Sequence, residues 1–234
     1  MKVWDDKWAI NKIGWHKDDV HPMLLNHFDR LVSPNSNIFV PLCGKSVDMK
    51  YLANHENISH VYGLDVVEKA LTEFVVENPE LKVEKSSNKR WQGTNITLLC
   101  DDFLTLNDSL LGQKVDAVWD RASMVAITPD LRQKYVETIG GIVQPGAKIL
   151  LVTLERKSGT KEAMANGPPF SISESEVRNL YNVPWVESIE LVETVDEFQA
   201  NPSSRQRYKG LQELNELCFL IKIKKDISSS NGEL

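Results

Sequence analysis

The sequence predicts an α/β fold: a mostly parallel, Rossmann-like sheet of seven strands, helices on both faces, and an antiparallel last strand. Three observations predict it. The run Asn37–Met49, NIFVPLCGKSVDM, breaks an apolar β-stretch into a tight Pro-Leu-Cys-Gly turn and then a helix. A second β-stretch, VYGLD, ends in Asp65 roughly 20 residues after that turn, the layout of a nucleotide-binding βαβ unit. Strand and helix patterns then alternate through the first five strands, and such alternation makes neighbouring strands parallel.

The elements follow in order. Before any strand, the acidic stretch Lys2–Asp19 carries Trp4, Trp8 and Trp15. These have three readings: a lid over a cofactor, a plug on the core, or an exposed binding surface. The lid, covering residues 1–20, is the expectation, because aromatic faces suit a sulfonium and a flat adenine alike. Pro22–Leu31 reads as a helix with Leu24, Leu25, Phe28 and Leu31 on one face. The strands expected next are Ile38–Pro41, His60–Asp65, Asn95–Cys100, Val115–Asp120 and Lys148–Leu154. Helices are expected between them at Ser46–Asn54, Val66–Glu77 and Leu131–Val143, the last opened by Pro129 and Asp130. Ser173, with Glu176 three residues on, forms a capping box for a helix over Glu174–Tyr181. Ser188–Thr194 and Leu217–Ile223 follow as strands separated only by a loop, Asp196–Leu214, so they are expected to pair antiparallel at the sheet edge. Asn78–Thr94 is a polar insert, long enough for a surface loop or a small hairpin.

Composition narrows the function classes. A chain of 234 residues, 41% hydrophobic and 26% charged, can build one full-sized core, so residues 1–225 are expected to form a single domain. The Ser-rich end, Asp226–Leu234, is expected to be a disordered tail. A net charge of −6 offers no basic face to release counterions and argues against nucleic acid. The longest apolar runs, around Ile149–Leu154 and Cys218–Ile223, are strand-sized and too short to span a bilayer. Cys43, Cys100 and Cys218 lie in or beside apolar runs without zinc-site spacing, which reads as buried thiols in a reducing compartment. A cytoplasmic monomer acting on a small molecule is the resulting expectation.

The first turn selects the cofactor. A dinucleotide fingerprint needs G-x-G-x-x-G, and this turn has Gly44 alone. Gly44-Lys45-Ser46 ends like a phosphate-binding loop, but Phe39 stands where that loop needs its first glycine. A cofactor without phosphates fits better, and S-adenosylmethionine is that cofactor, with Asp65 accepting from its ribose hydroxyls. A strand–turn–helix without any ligand is the bland alternative. Asp101-Asp102-Phe103 follows the third strand, where an acid and an apolar side chain can hold an adenine; a capped loop is the alternative. Trp119-Asp120-Arg121-Ala122 ends the fourth strand at the sheet's carboxyl edge, where open α/β folds place their chemistry. Gly167-Pro168-Pro169-Phe170 is a rigid turn that presents an aromatic ring, or simply stiffens a loop.

Taken together, Trp4-Asp-Asp-Lys-Trp8, Ile13-Gly-Trp15-His16, FVPLCGKS, VYGLD, WDRA, Val125-Ala-Ile-Thr-Pro129 and GPPF resemble the thiopurine S-methyltransferase family, over Trp4 to about Ile223. The resemblance implies a seven-stranded methyltransferase sheet, S-adenosylmethionine as methyl donor, and aromatic or heterocyclic thiols as acceptors. It implies cofactor contacts at Trp4, Trp8, Trp15, Leu42, Asp65, Asp102, Phe103 and Arg121, with Trp15 also touching the acceptor. It also implies an arginine, Arg205, near the acceptor sulfur.

The chemistry asked of such a site is modest. Methyl transfer from a sulfonium to a thiolate is an in-line displacement that neutralises charge, so alignment and exclusion of water are the main requirements. Arg121 and Arg205 are expected to favour the thiolate, with Asp120 orienting Arg121 and Phe170 lining the acceptor side. His16 could relay a proton or merely cap and pack. The alternatives are the same fold methylating sulfide, halide or a selenium compound, and a cofactor-binding protein without catalysis.

Overall fold

The computed structural model describes residues 2–226. Its strands are β1 (Ser36–Pro41), β2 (Ile58–Asp65), β3 (Glu84–Ser87), β4 (Arg90–Gln92), β5 (Ile96–Cys100), β6 (Val115–Arg121), β7 (Val143–Gly159), β8 (Val186–Asp196) and β9 (Leu211–Ile223). They form one sheet in the order β3-β4-β5-β2-β1-β6-β7-β9-β8. The core β5-β2-β1-β6-β7 is parallel throughout, as the alternating pattern requires. The sheet has 9 strands instead of the expected seven. The additional pair, β3 and β4, is a hairpin folded from the polar insert and added antiparallel to β5. All four residues of β3 are exposed, so the hairpin lacks the apolar alternation by which a strand is read. The antiparallel last strand is present, but β9 is inserted between β7 and β8 and leaves β8 at the edge.

Side chains alternate across each strand and divide the interior into two cores. Ile38, Val40, Trp119, Leu150 and Cys218 face α2 (Pro22–Leu31), α3 (Val47–Ala53) and α4 (Glu68–Glu77). Phe39, Val118, Ile149, Leu151 and Phe219 face α6 (Arg132–Ile142) and α8 (Glu174–Leu180). Each large apolar side chain buried this way contributes roughly 1.5–3 kcal/mol. On α2, Leu24, Phe28 and Leu31 are buried as the helical stripe requires, whereas Leu25 turns outward at 49% exposure. Ser173 caps α8 by accepting from Glu176 N at 3.2 Å, while the Glu176 carboxylate pairs instead with the buried Arg132. The short helices α5 (Asp108–Leu111) and α7 (Lys161–Ala165) fill connections.

Two differences from the sequence reading shape the site. The N-terminal segment opens with a helix, α1 (Lys2–Ala9), which lies against α4 through Trp8, Val67 and Ala70. The expected loop Asp196–Leu214 contains α9 (Glu197–Ala200) and α10 (Ser204–Arg207) before β9 begins. No helix among the described residues is long and apolar enough to cross a membrane. Of the expected tail, residues 227–234 lie outside the described residues.

Candidate active site

At the carboxyl end of the sheet, β1 and β6 are neighbours whose following helices go to opposite faces, the place where an open α/β sheet forms its crevice. A cleft opens there, walled by the ends of β1, β2, β6 and β7, the N-terminal segment and the α9–β9 region.

The cofactor side is built on the first turn. Asp65 closes β2, is 8% exposed, and lines the cleft. Its Oδ2 accepts from Gly44 N at 2.8 Å and its Oδ1 from Val67 N at 2.9 Å. Burial raises its pKa to about 6 against the pull of these backbone donors. Each oxygen keeps a lone pair, so the carboxylate can still accept from ligand hydroxyls. Gly44 has φ +52°, and a Cβ there would stand 3.2 Å from Trp8 Cζ2. The turn therefore needs glycine twice, for its backbone and for the ring lying on it. Leu42 (φ +43°) and Ala122 (φ +62°) also line the cleft with left-handed backbone, a cost carried where the chain must turn away beneath a ligand. Lys45 is held by Glu73 at 3.0 Å and Glu77 at 2.6 Å, so it is not free to neutralise a phosphate.

Trp4, Trp8 and Trp15 all line the cleft. Trp15 meets Trp4 edge-on at 5.3 Å and Trp8 at 6.3 Å between ring centroids. Three cations fasten the segment: Arg121 Nη1 donates to Trp15 O at 2.8 Å, Lys69 Nζ to Trp8 O at 2.9 Å, and Arg207 to Gly14 O. His16 borders a smaller adjoining cavity, and burial with the nearby Lys45 charge lowers its pKa.

Several expected site residues stand elsewhere. Asp120 does not orient Arg121, because successive residues of β6 point to opposite faces. Its carboxyl is fully buried in the second core, where Oδ2 accepts from Tyr135 Oη at 2.6 Å and burial raises its pKa to about 6. Phe103 is packed among Phe39 and Tyr135, its ring 4.4 Å from that of Tyr135. Asp102 caps the turn after β5, Oδ1 accepting from Leu104 N at 3.0 Å, and neither residue lines the cleft. In the GPPF turn, Pro168 and Pro169 line the cleft while Phe170 packs back over Gly167. Arg156 holds that turn through Pro169 O at 2.7 Å. Arg205 is exposed, stacks on Phe198 at 4.5 Å, and lies outside the cleft, which Arg207 lines instead.

Other residues lining the cleft escaped the sequence reading. Glu216 and Glu197 line the cleft beside Arg121, Arg207 and Tyr208. Glu216 faces His21 Nε2 at 3.6 Å; burial pushes its carboxyl up, but His21, Arg121 and Lys17 outweigh this and leave it below the usual range. Asp48 bridges the same face, accepting from Trp119 Nε1 and His21 N, each at 2.9 Å. Burial lowers the Arg121 pKa, and Asp48 and Glu216 oppose that shift. The sequence did hold one signal: on β9, Glu216 falls on the apolar face of Leu214, Cys218 and Leu220, where an acid is out of place.

Residues 1–224 match the family model described as thiopurine S-methyltransferase. The chain belongs to the thiopurine S-methyltransferase family. A thiopurine S-methyltransferase of Nitrosospira multiformis is 37% identical over 223 residues, covering 94% of this chain and 96% of that protein. One from Pseudomonas paraeruginosa is 35% identical over 222 residues, covering 93% and 96%. Among solved structures, the Burkholderia thailandensis 1,6-didemethyltoxoflavin-N1-methyltransferase, with bound 1,6-didemethyltoxoflavin and S-adenosylhomocysteine, superposes with a TM-score of 0.62. It is 14% identical and covers 95% of this chain and 86% of that one, a likeness of fold. As a member of the thiopurine S-methyltransferase family the chain is an S-adenosylmethionine-dependent methyltransferase. The residues present fit that cofactor: a buried acid at the end of β2, a glycine turn open to backbone contact, aromatic faces, and a turn lysine, Lys45, already paired with Glu73 and Glu77.

One consequence is testable on the turn itself. Gly44→Ala places an L-residue in left-handed backbone, costing roughly 1–2 kcal/mol, and presses on Trp8. Thermal unfolding should show Tm lowered by about 2–8 °C, with weaker binding of S-adenosylmethionine. Unchanged Tm and affinity together would contradict the packing of Trp8 on this turn.

Proposed function

We propose that the protein transfers a methyl group from S-adenosylmethionine to the sulfur of an aromatic or heterocyclic thiol. The observation that carries this reading is the acceptor end of the cleft. There two guanidinium groups, Arg121 and Arg207, stand among flat and apolar surfaces: Trp15, Pro168, Val152 and Tyr208. Guanidinium groups stay charged and favour the thiolate form of an acceptor, while the flat surfaces suit a ring. The name carried by the family and its relatives gives the same acceptor chemistry for them.

Asp65 accepts from the ribose hydroxyls, with the backbone of Leu42 to Gly44 beneath the ligand. Trp4, Trp8 and Trp15 act as a lid, their faces toward the adenosine and the sulfonium. Bound there, S-adenosylmethionine supplies an electrophilic methyl on a cationic sulfur. Arg121 has two tasks, since the guanidinium at the acceptor also holds the lid at Trp15 O. Closing the lid excludes water and orders that guanidinium together, so alignment and thiolate stabilisation arrive in one step. Arg207, bonded to Gly14 O, repeats the arrangement on the far side.

The test is a methyl-transfer panel of aromatic thiols, heterocyclic thiols, aliphatic thiols, sulfide and halides. Aromatic and heterocyclic thiols should lead in kcat/KM by at least about tenfold, the equivalent of roughly 1.4 kcal/mol of acceptor contact. Equal or faster turnover of halide or sulfide would overturn the assignment of the acceptor.

A further inference from the structure

Glu197 is an acid set in the wall of the cleft, with one carboxylate oxygen open to it. It is 7% exposed yet lines the acceptor end. Its Oε2 accepts from Asn201 Nδ2 at 3.0 Å, and among the described residues no Lys, Arg or His makes an ion pair with it. Its backbone is held in place. It opens α9, whose first turn is capped by Asp196 Oδ1, and its own carbonyl accepts from Asn201 N at 2.9 Å and Ser204 Oγ at 3.3 Å. The charged groups that act on it are Glu216 from β9, Lys17 from the N-terminal segment and Arg207 from α10, with the Tyr208 hydroxyl nearby. Burial and Glu216 raise its pKa; Asn201, Lys17 and Arg207 oppose them. The other oxygen, Oε1, takes no partner among the described residues and is not sealed from solvent, so it can accept from a donor that enters the cleft.

The chemistry of the proposed acceptors names that donor. A heterocyclic thiol whose ring nitrogen adjoins the sulfur-bearing carbon can exist as a thione, with the proton on nitrogen and the sulfur neutral. We propose that Glu197 accepts the ring N–H of such a thione and takes its proton as the sulfur–methyl bond forms. A sulfur electron pair forms the new bond to the methyl carbon, and the methyl–sulfonium pair returns to the departing thioether. The N–H pair becomes the ring C=N bond as the C=S π pair moves onto sulfur, and the proton ends on Glu197. The sulfonium's positive charge and the carboxylate's negative charge are both lost, so no net charge is created. Thiolates meet Arg121 and Arg207, while neutral thiones meet Glu197 as well. The acid makes the site selective for nitrogen heterocycles over simple aryl thiols.

This inference rests on the S-methyl transfer reading, and its test separates the two. Calorimetry on the full chain with S-adenosylhomocysteine bound should show a 2-thiopyrimidine-type thione binding at least about tenfold tighter than its N-methyl analogue. In Glu197→Gln the amide oxygen can still accept but cannot take the proton. Thione affinity should fall less than about fivefold, while kcat for the thione falls about 10²-fold or more. The loss with thiophenol, which has no ring N–H, should be far smaller. Equal loss for both acceptors, or no preference for the N–H thione in the wild type, would overturn the role of Glu197. Failure of the wild-type protein to methylate any thiol would reject the S-methyl transfer reading itself, and this role with it.

Discussion

Replacing Arg121 with Met is expected to lower kcat/KM toward thiols by roughly 10- to 150-fold. That range is the 1.5–3 kcal/mol of a charged hydrogen bond expressed as a rate. Met keeps much of the bulk and removes the charge. Because Arg121 also donates to Trp15 O at 2.8 Å, KM for S-adenosylmethionine should rise in the same variant. Less acidic thiols should shift their activity to higher pH, whereas thiols already ionised at neutral pH should suffer less. Arg207→Met should behave alike, and the double variant should lose less than the product of the two, since both groups act on one sulfur. Arg205→Met should change kcat/KM by no more than about twofold, as an exposed side chain stacked on Phe198. The measurement is a pH–rate profile for each variant with an acidic and a weakly acidic thiol. Equal losses with an unmoved profile would leave Arg121 and Arg207 as binding groups only. A large effect at Arg205 with none at Arg207 would return the acceptor role to Arg205.

Asp65→Ala should weaken S-adenosylmethionine and S-adenosylhomocysteine by about 10- to 150-fold in calorimetry. It removes the proposed acceptor for ribose and, at once, the anchor of Gly44 N and Val67 N. The wild-type protein should show a pH dependence of the same origin. Burial raises the pKa of the Asp65 carboxyl from the usual carboxylate range to about 6. Hydroxyl donors favour its ionised form, so cofactor affinity should fall as pH drops through about 6. Its effect on folding has the opposite sign. A raised folded pKa stabilises the fold below about 4, and that contribution is lost as pH rises through about 6. Affinity unchanged in Asp65→Ala, or flat between pH 5 and 7 in the wild type, would sink the ribose assignment.

Much of this protein is legible in its sequence because local rules and tertiary demands agree. The parallel core could be read because strands buried on both faces are continuous apolar runs, and an alternating chain can pair them in few ways. The ends of those strands were legible too. A carboxyl edge is where a hydrophobic run must stop, so Asp65 and Arg121 announced themselves as charges directly after VYGL and VWD. Leu42, Gly44 and the tryptophans were found for similar reasons, being unusual residues at a turn or ahead of the first strand.

Tertiary structure decided the rest. Asp120 and Arg121 are adjacent in sequence and separated by a sheet, because strand geometry sends neighbours to opposite faces. Phe103 and Phe170 are aromatic and close to the cleft in sequence terms, yet the Phe103 ring is taken up by apolar packing and the Phe170 ring lies against Gly167. The acceptor end is the least local part. Glu197, Arg207, Tyr208 and Glu216 come from two four-residue helices, the residue that ends the second, and one strand, without a motif among them. They meet because β9 returns antiparallel along β7, setting Glu216 across from Leu154 at the cleft. The sequence by itself determined the parallel core of the sheet, the first turn and the cofactor class, all fixed by hydrophobic pattern and backbone conformation over short distances. Which arginines and which acids line that end of the cleft was decided only by the long-range pairing of the last strand, which no local pattern encodes.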